Sequence, residues 1–218
     1  MAKTSVQQGE LWTNEDRLFL EKVFYLDKST SKYLIVGIDA SNYEPVVRIC
    51  NRATGNYITI KKENFADFMN IIESILAHHY SPENGVVRAA LDRVDIKFNI
   101  VSKDIWRLHQ VDNPYAAIHI RKASFRTLSR ISRLVVTKLL SSYEGKVCKE
   151  VIEDLRQNTF GMDQDEIIEE LYESITKYST TCYEYQVISD LIANIEFYAR
   201  LSESGEGFYL GCSYKRNE

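Results

Sequence analysis

The residues of this chain best suited to chemistry are cations and flat rings at alternating strand positions, and the chemistry they suit is the grip of a polyanion. Side chains alternate across a strand. Strand-like runs therefore sort Arg48, Arg52, Tyr57, Lys61, Lys97, Arg107, His119 and Arg121 onto one side. The other side takes Val47, Ile49, Ile58, Ile60, Ile96, Phe98, Ile100, Trp106, Leu108, Ile118 and Ile120, which suit a core. A sheet face carrying cations and a few rings can track a phosphate backbone and stack bases, with salt-dependent affinity. The same polar set equally suits the solvated outer face of an antiparallel sheet.

A second cationic set has helical spacing. Lys122, Arg126, Arg130 and Arg133 recur at intervals of four, four and three, opposite Phe125, Leu128, Ile131, Val135 and Leu139. That stripe can hold nucleic acid, or it can dock the acidic segment around residues 163–173.

Other chemistries find little support. Cys50, Cys148, Cys182 and Cys212 are widely spaced and form no CxxC pair, so neither a metal site nor a disulfide framework is indicated. No pair of histidines has a helix-face ligand spacing, and no phosphate-loop, nucleophile-elbow or dinucleotide motif occurs. The run at residues 163–166 lacks the glycine and terminal glutamate of a calcium loop and suits a helix start. The expectation is a non-enzyme without cofactor or metal.

With 218 residues, 44% of them hydrophobic, the chain can bury a sizeable core. No apolar run reaches the roughly 18–20 residues that span a bilayer, and residues 1–16 read as a flexible lead-in without a signal core. A soluble, intracellular protein is expected. The net charge of −4 hides an asymmetry. Residues 1–84 hold 9 Lys/Arg and 11 Asp/Glu, residues 85–142 hold 11 and 4, and residues 143–218 hold 7 and 16. A block of net +7 thus sits between two acidic stretches.

The elements that must position these side chains are strands followed by a helix, written twice. Residues 17–27, 33–39, 46–51 and 57–61 read as strands separated by turns. Asn64 is placed to cap a helix over 65–79. After the break at 81–85, residues 86–91, 94–101, 105–111 and 115–121 read as strands, and Ser124 is placed to cap a helix to about Ser142. At an offset of 60, Ile58, Ile60, Lys61, Lys62, Phe65, Phe68, Ile71 and Ile75 lie over Ile118, Ile120, Arg121, Lys122, Phe125, Leu128, Ile131 and Val135. A one-residue shift brings Arg48 over Arg107. Such a period marks a duplicated supersecondary unit. Residues 146–203 carry helical periodicity, and the tail at 205–218 can add a strand or stay loose. The expected fold is α+β, with two ββββα repeats (17–80 and 85–142) forming a pseudo-dimer of antiparallel sheets, plus an acidic helical region over 146–218.

Four antiparallel strands and a helix, twice over, resemble the Pur-alpha repeat, whose fold is shared with the Whirly proteins and the positive-cofactor-four coactivator. Lys22-Val23-Phe24-Tyr25-Leu26-Asp27, a polar turn and Lys32-Tyr33-Leu34-Ile35 resemble that family's aromatic strand, turn and second strand. Phe65-Ala66-Asp67-Phe68 resembles its helix start. The chain differs in lacking a glycine before Tyr33 and in placing Val94-Asp95-Ile96-Lys97-Phe98 where the second aromatic strand belongs. The resemblance implies single-stranded DNA or RNA binding and pairing of the units, with a possible homodimer. The alternative is a scaffold whose acidic C-terminal helices bind a protein partner.

Overall fold

The computed structural model describes residues 18–159 and 161–193. The expected lead-in at 1–16, residues 194–203 and the tail at 205–218 lie outside the described residues. The fold is α+β, with two antiparallel sheets and a C-terminal helical region.

The first sheet is a four-strand meander in sequence order, β1 (Leu18–Tyr25), β2 (Lys32–Asp39), β3 (Pro45–Asn51) and β4 (Tyr57–Lys61). Its turns follow from local chemistry. Asp27 accepts hydrogen bonds from the Ser29 and Ser31 hydroxyls and from the Ser31 N–H, which closes the turn between β1 and β2. Between β3 and β4, Gly55 sits at φ 70° and its N–H bonds to the Asn51 carbonyl, a conformation glycine adopts without steric cost. β3 and β4 pair with Arg48 opposite Thr59 and Ile49 opposite Ile58.

β4 runs into a 3-10 turn, Lys62–Asn64, and then α1 (Phe65–Leu76). Asn64 does not cap this helix as expected: it is itself helical, at φ −91° and ψ −7°, and its side chain makes no cap bond. α1 buries Phe65, Phe68, Ile71, Ile72 and Ile75, the face that its spacing predicts. Fully burying each of the two phenylalanines contributes about 2–3 kcal/mol.

Residues 86–91 were expected to form a strand and instead lie in α2 (Gly85–Arg93). The Val86–Val87 pair suggests β structure, but the Asn84 side chain accepts the Val86 N–H at 3.0 Å and caps a helix. Ala89, Ala90 and Leu91 favour that helix, and Val87 and Ala90 are its buried positions. The second sheet therefore has three strands in sequence order, β5 (Ile96–Ser102), β6 (Ile105–Gln110) and β7 (Ile118–Arg121). Residues 114–116 form a turn held by Asn113, whose side-chain oxygen accepts the Ala116 N–H, so the strand expected over 115–121 begins only at Ile118.

β7 passes directly into α3 (Lys122–Ile131). Ser124 is therefore the buried third residue of the helix and not its cap. A π turn, Ser132–Val136, leads on to α4 (Thr137–Ser142). It inserts one residue into the helical repeat. The expected apolar positions Val135 and Leu139 consequently rotate outward, Val135 to 37% exposed, and Val136 and Leu140 take the core at 0% and 3%.

The chain divides into two units. One comprises Glu21–Gly37 and Glu44–Tyr143. Within it α1 packs on α2 and α3, β4 lies beside β6, and Phe68 packs against Phe98 with ring centroids 5.7 Å apart and planes tilted by 40°. Trp106 is core as its strand position predicts, edge-on to Tyr80 at 4.7 Å. The other unit comprises the described parts of Met1–Leu20, Ile38–Tyr43 and Glu144–Glu218. There α7 (Tyr183–Ala193) packs on α5 (Gly145–Asn158) and α6 (Gln164–Thr176), burying Ile152, Leu155, Ile167, Leu171, Val187 and Leu191. Residues 163–166 are a helix start: Asp163 accepts the Asp165 and Glu166 N–H groups and Glu166 accepts the Asp163 N–H. No helix among the described residues is long and apolar enough to cross a membrane.

Candidate nucleic-acid interface

The second sheet sorts its side chains as strand alternation requires, except at Ile100, which was expected in the core and is 63% exposed where the β5–β6 register shifts between Ile100 and Ser102. Ile96, Phe98, Trp106, Leu108, Ile118 and Ile120 are buried on one face. On the other, Asn99, Arg107 and His119 lie opposite one another across β5, β6 and β7. Lys97 pairs with His109, and Arg121 with Ile105. Lys97, His119 and Arg121 are exposed and Arg107 is half-buried. Arg107 donates from Nη2 to the Pro114 carbonyl at 2.9 Å, so the turn after β6 orients its guanidinium. Four of the expected site residues thus share one face of three adjacent strands.

His109 is on that face but only 7% exposed, and its Nδ1 has no hydrogen-bond partner among the described residues. Burial holds its pKa below the usual histidine value, and the neighbouring charges of Arg107 and Lys97 push it the same way. It stays neutral while the groups around it carry the positive field.

The first sheet departs from expectation. β3 is buried on both faces, and Arg48 is 3% exposed with its guanidinium carbon 4.9 Å from the Tyr57 ring centroid. Arg48 is therefore an internal cation held on an aromatic face and not an open phosphate contact. Its alignment with Arg107 is a match of strand position and not of environment. Tyr57 is half-buried beneath it. Lys61 is exposed but lies 3.7 Å from Glu44. Arg52, just beyond β3, is exposed, with its guanidinium carbon 5.9 Å from the Tyr25 ring and 5.7 Å from the Tyr33 ring.

Tyr25 and Tyr33 were not among the expected site residues. The signal was present: the 27–32 turn closes a hairpin that brings the end of β1 to the start of β2, and two tyrosines occupy those positions. The Tyr33 hydroxyl is pushed up to about 12, by burial first and then by the neighbouring Cys50. Burial likewise pushes the Cys50 thiol up to about 12. Both groups stay protonated at neutral pH.

The helical stripe is also divided. Lys122 is buried, its ammonium 2.8 Å from His78 Nε2, because β7 enters α3 without a loop and turns this residue inward. Arg133 reaches Glu73 on α1 at 2.9 Å, and Ser129 donates to the same carboxylate oxygen at 2.6 Å. Arg133 thus joins two helices. Arg126 and Arg130 remain exposed on α3. Among the described residues there is no group of three or more His, Cys, Asp or Glu placed to hold a metal ion. No family model, curated protein or solved structure matches this chain.

Proposed function

We propose that this chain binds single-stranded DNA or RNA through the outer face of its second sheet. The observation that carries the reading is the row Asn99–Arg107–His119 across three strands, flanked by Lys97 and Arg121, on the face opposite the packed apolar set. Arg107 and Arg121 take phosphates, Lys97 adds a mobile charge, and the His119 ring offers a flat surface for a base. Arg126 and Arg130 extend the field along α3. Arg48, Lys122 and Arg133 have structural partners and serve the fold. In this reading the two sheet-and-helix repeats are Pur-alpha-like, and the contacts of α1 with α3 and of β4 with β6 are consistent with a pseudo-dimer.

The test is fluorescence anisotropy of labelled oligo-dT and oligo-U against the full chain over a salt series. The logarithm of affinity should fall linearly with the logarithm of salt concentration, by about 0.7 per neutralised single-strand phosphate. Arg107→Ala and Arg121→Ala should each lower that slope by about 0.7. Absence of binding at low salt ends the proposal.

A further inference from the structure

We infer that Tyr25, Tyr33 and Arg52, on the first sheet, form a second contact for the bound strand, in which Tyr25 stacks a base and Arg52 takes an adjacent phosphate. This inference rests on the single-strand reading above and adds to it a site made by different residues.

Three observations converge. Arg52 is exposed, and its guanidinium makes no ion pair or side-chain hydrogen bond among the described residues. The nearby Asp27 carboxylate is occupied by Ser29 and Ser31. Arg52 is nevertheless held in place: its backbone N–H bonds to the Ser31 carbonyl at 2.9 Å, and two phenol rings lie within 6 Å of its guanidinium carbon. A cation fixed on aromatic faces, with its donors unspent, is organised in advance for an oxyanion.

The rings supply the second half of the recognition. Tyr25 and Tyr33 stand 6.4 Å apart at 62°, so they cannot stack on each other, and Tyr25 keeps 47% of its surface exposed. Tyr33 is half-buried, and Tyr25 is the open member of the pair. An exposed ring beside a held guanidinium matches a nucleotide, in which a flat base and an anionic phosphate come as neighbours.

The experiment uses the full chain and two probes of equal length, oligo-dT and an abasic sugar-phosphate strand. Tyr25→Ala should weaken oligo-dT about ten-fold and leave the abasic strand unchanged, whereas Tyr25→Phe should retain binding. Arg52→Ala should weaken both. If Tyr25→Ala changes neither probe, or both equally, while Arg107→Ala weakens both, the stacking site is wrong and the second-sheet reading stands. If the wild-type chain binds neither probe, both fall. Photocrosslinking of the wild type to a 5-iodouracil strand removes any dependence on variant folding. An adduct on Tyr25 or Tyr33 supports the site, and adducts confined to the second sheet overturn it.

Discussion

Asp67 on α1 receives two hydrogen bonds from Arg93 at the end of α2, 2.5 Å from Nε and 2.7 Å from Nη2. This fork ties the helix that replaced an expected strand to the helix beneath the first sheet. The Arg93 hydrogen bonds hold the Asp67 carboxyl below its ordinary value of 3.8. A depressed folded-state pKa contributes stability that is present above the unfolded value and disappears as pH falls through the folded one. Asp67→Asn should therefore cost the same stability at pH 5 and pH 7, with the gap from wild type closing below about 3.8. Urea unfolding at a series of pH values measures it. A gap that persists at pH 2 would contradict the assignment.

The π turn predicts a sharp contrast between neighbours. Val136 is 0% exposed and Val135 37%. Val136→Ala should destabilise by about 2 kcal/mol through a lost methyl pair and the cavity left behind. Val135→Ala should stay within about 0.5 kcal/mol of wild type. Equal effects in chemical denaturation would mean that the helix keeps a regular repeat.

Arg48 and Arg121 should separate stability from binding. Arg48→Glu puts a carboxylate at a site 3% exposed, facing Tyr57, and should cost about 3–5 kcal/mol. Arg121→Glu, on an exposed strand end, should leave the unfolding midpoint nearly unchanged while weakening oligonucleotide binding. A stable Arg48→Glu protein with lost binding would restore Arg48 as a phosphate contact.

Thiol chemistry checks the two cores independently. Burial raises Cys148 to about 12, assisted by Asp190, and burial raises Cys50 to about 12. The thiolate is the reactive form, so both should resist iodoacetamide in the native protein and react once it is unfolded. Cys182, only half-buried, should be alkylated before either. Site-resolved mass spectrometry reads the order.

The parts of the fold legible in the residues were those set by local periodicity. Alternation in β4, β6 and β7 sorted core from surface correctly at Ile58, Ile60, Trp106, Leu108, Ile118 and Ile120. The 60-residue offset placed Phe65 over Phe125 and Phe68 over Leu128, and all four are buried. It broke down at Val135, because one inserted residue in a helix leaves no mark in composition. Residues 86–91 form a helix and not a strand because the Asn84 side chain caps it, a signal that lies inside the stretch read only as a break at 81–85.

The candidate site was legible only as a set of possibilities. Alternation assigns a side chain to one face of a strand but does not say whether that face meets solvent. Lys97, Arg107, His119 and Arg121 share a face in three adjacent strands, whereas Arg48 lies in a strand covered on both sides. Read alone, the residues determined the α+β class, the alternation of β4, β6 and β7 and the charge asymmetry, since each depends on neighbours in the chain. Tertiary structure decided which cations are spent on Tyr57, His78 and Glu73 and which remain open, because burial and ion pairing depend on residues as much as 60 positions away.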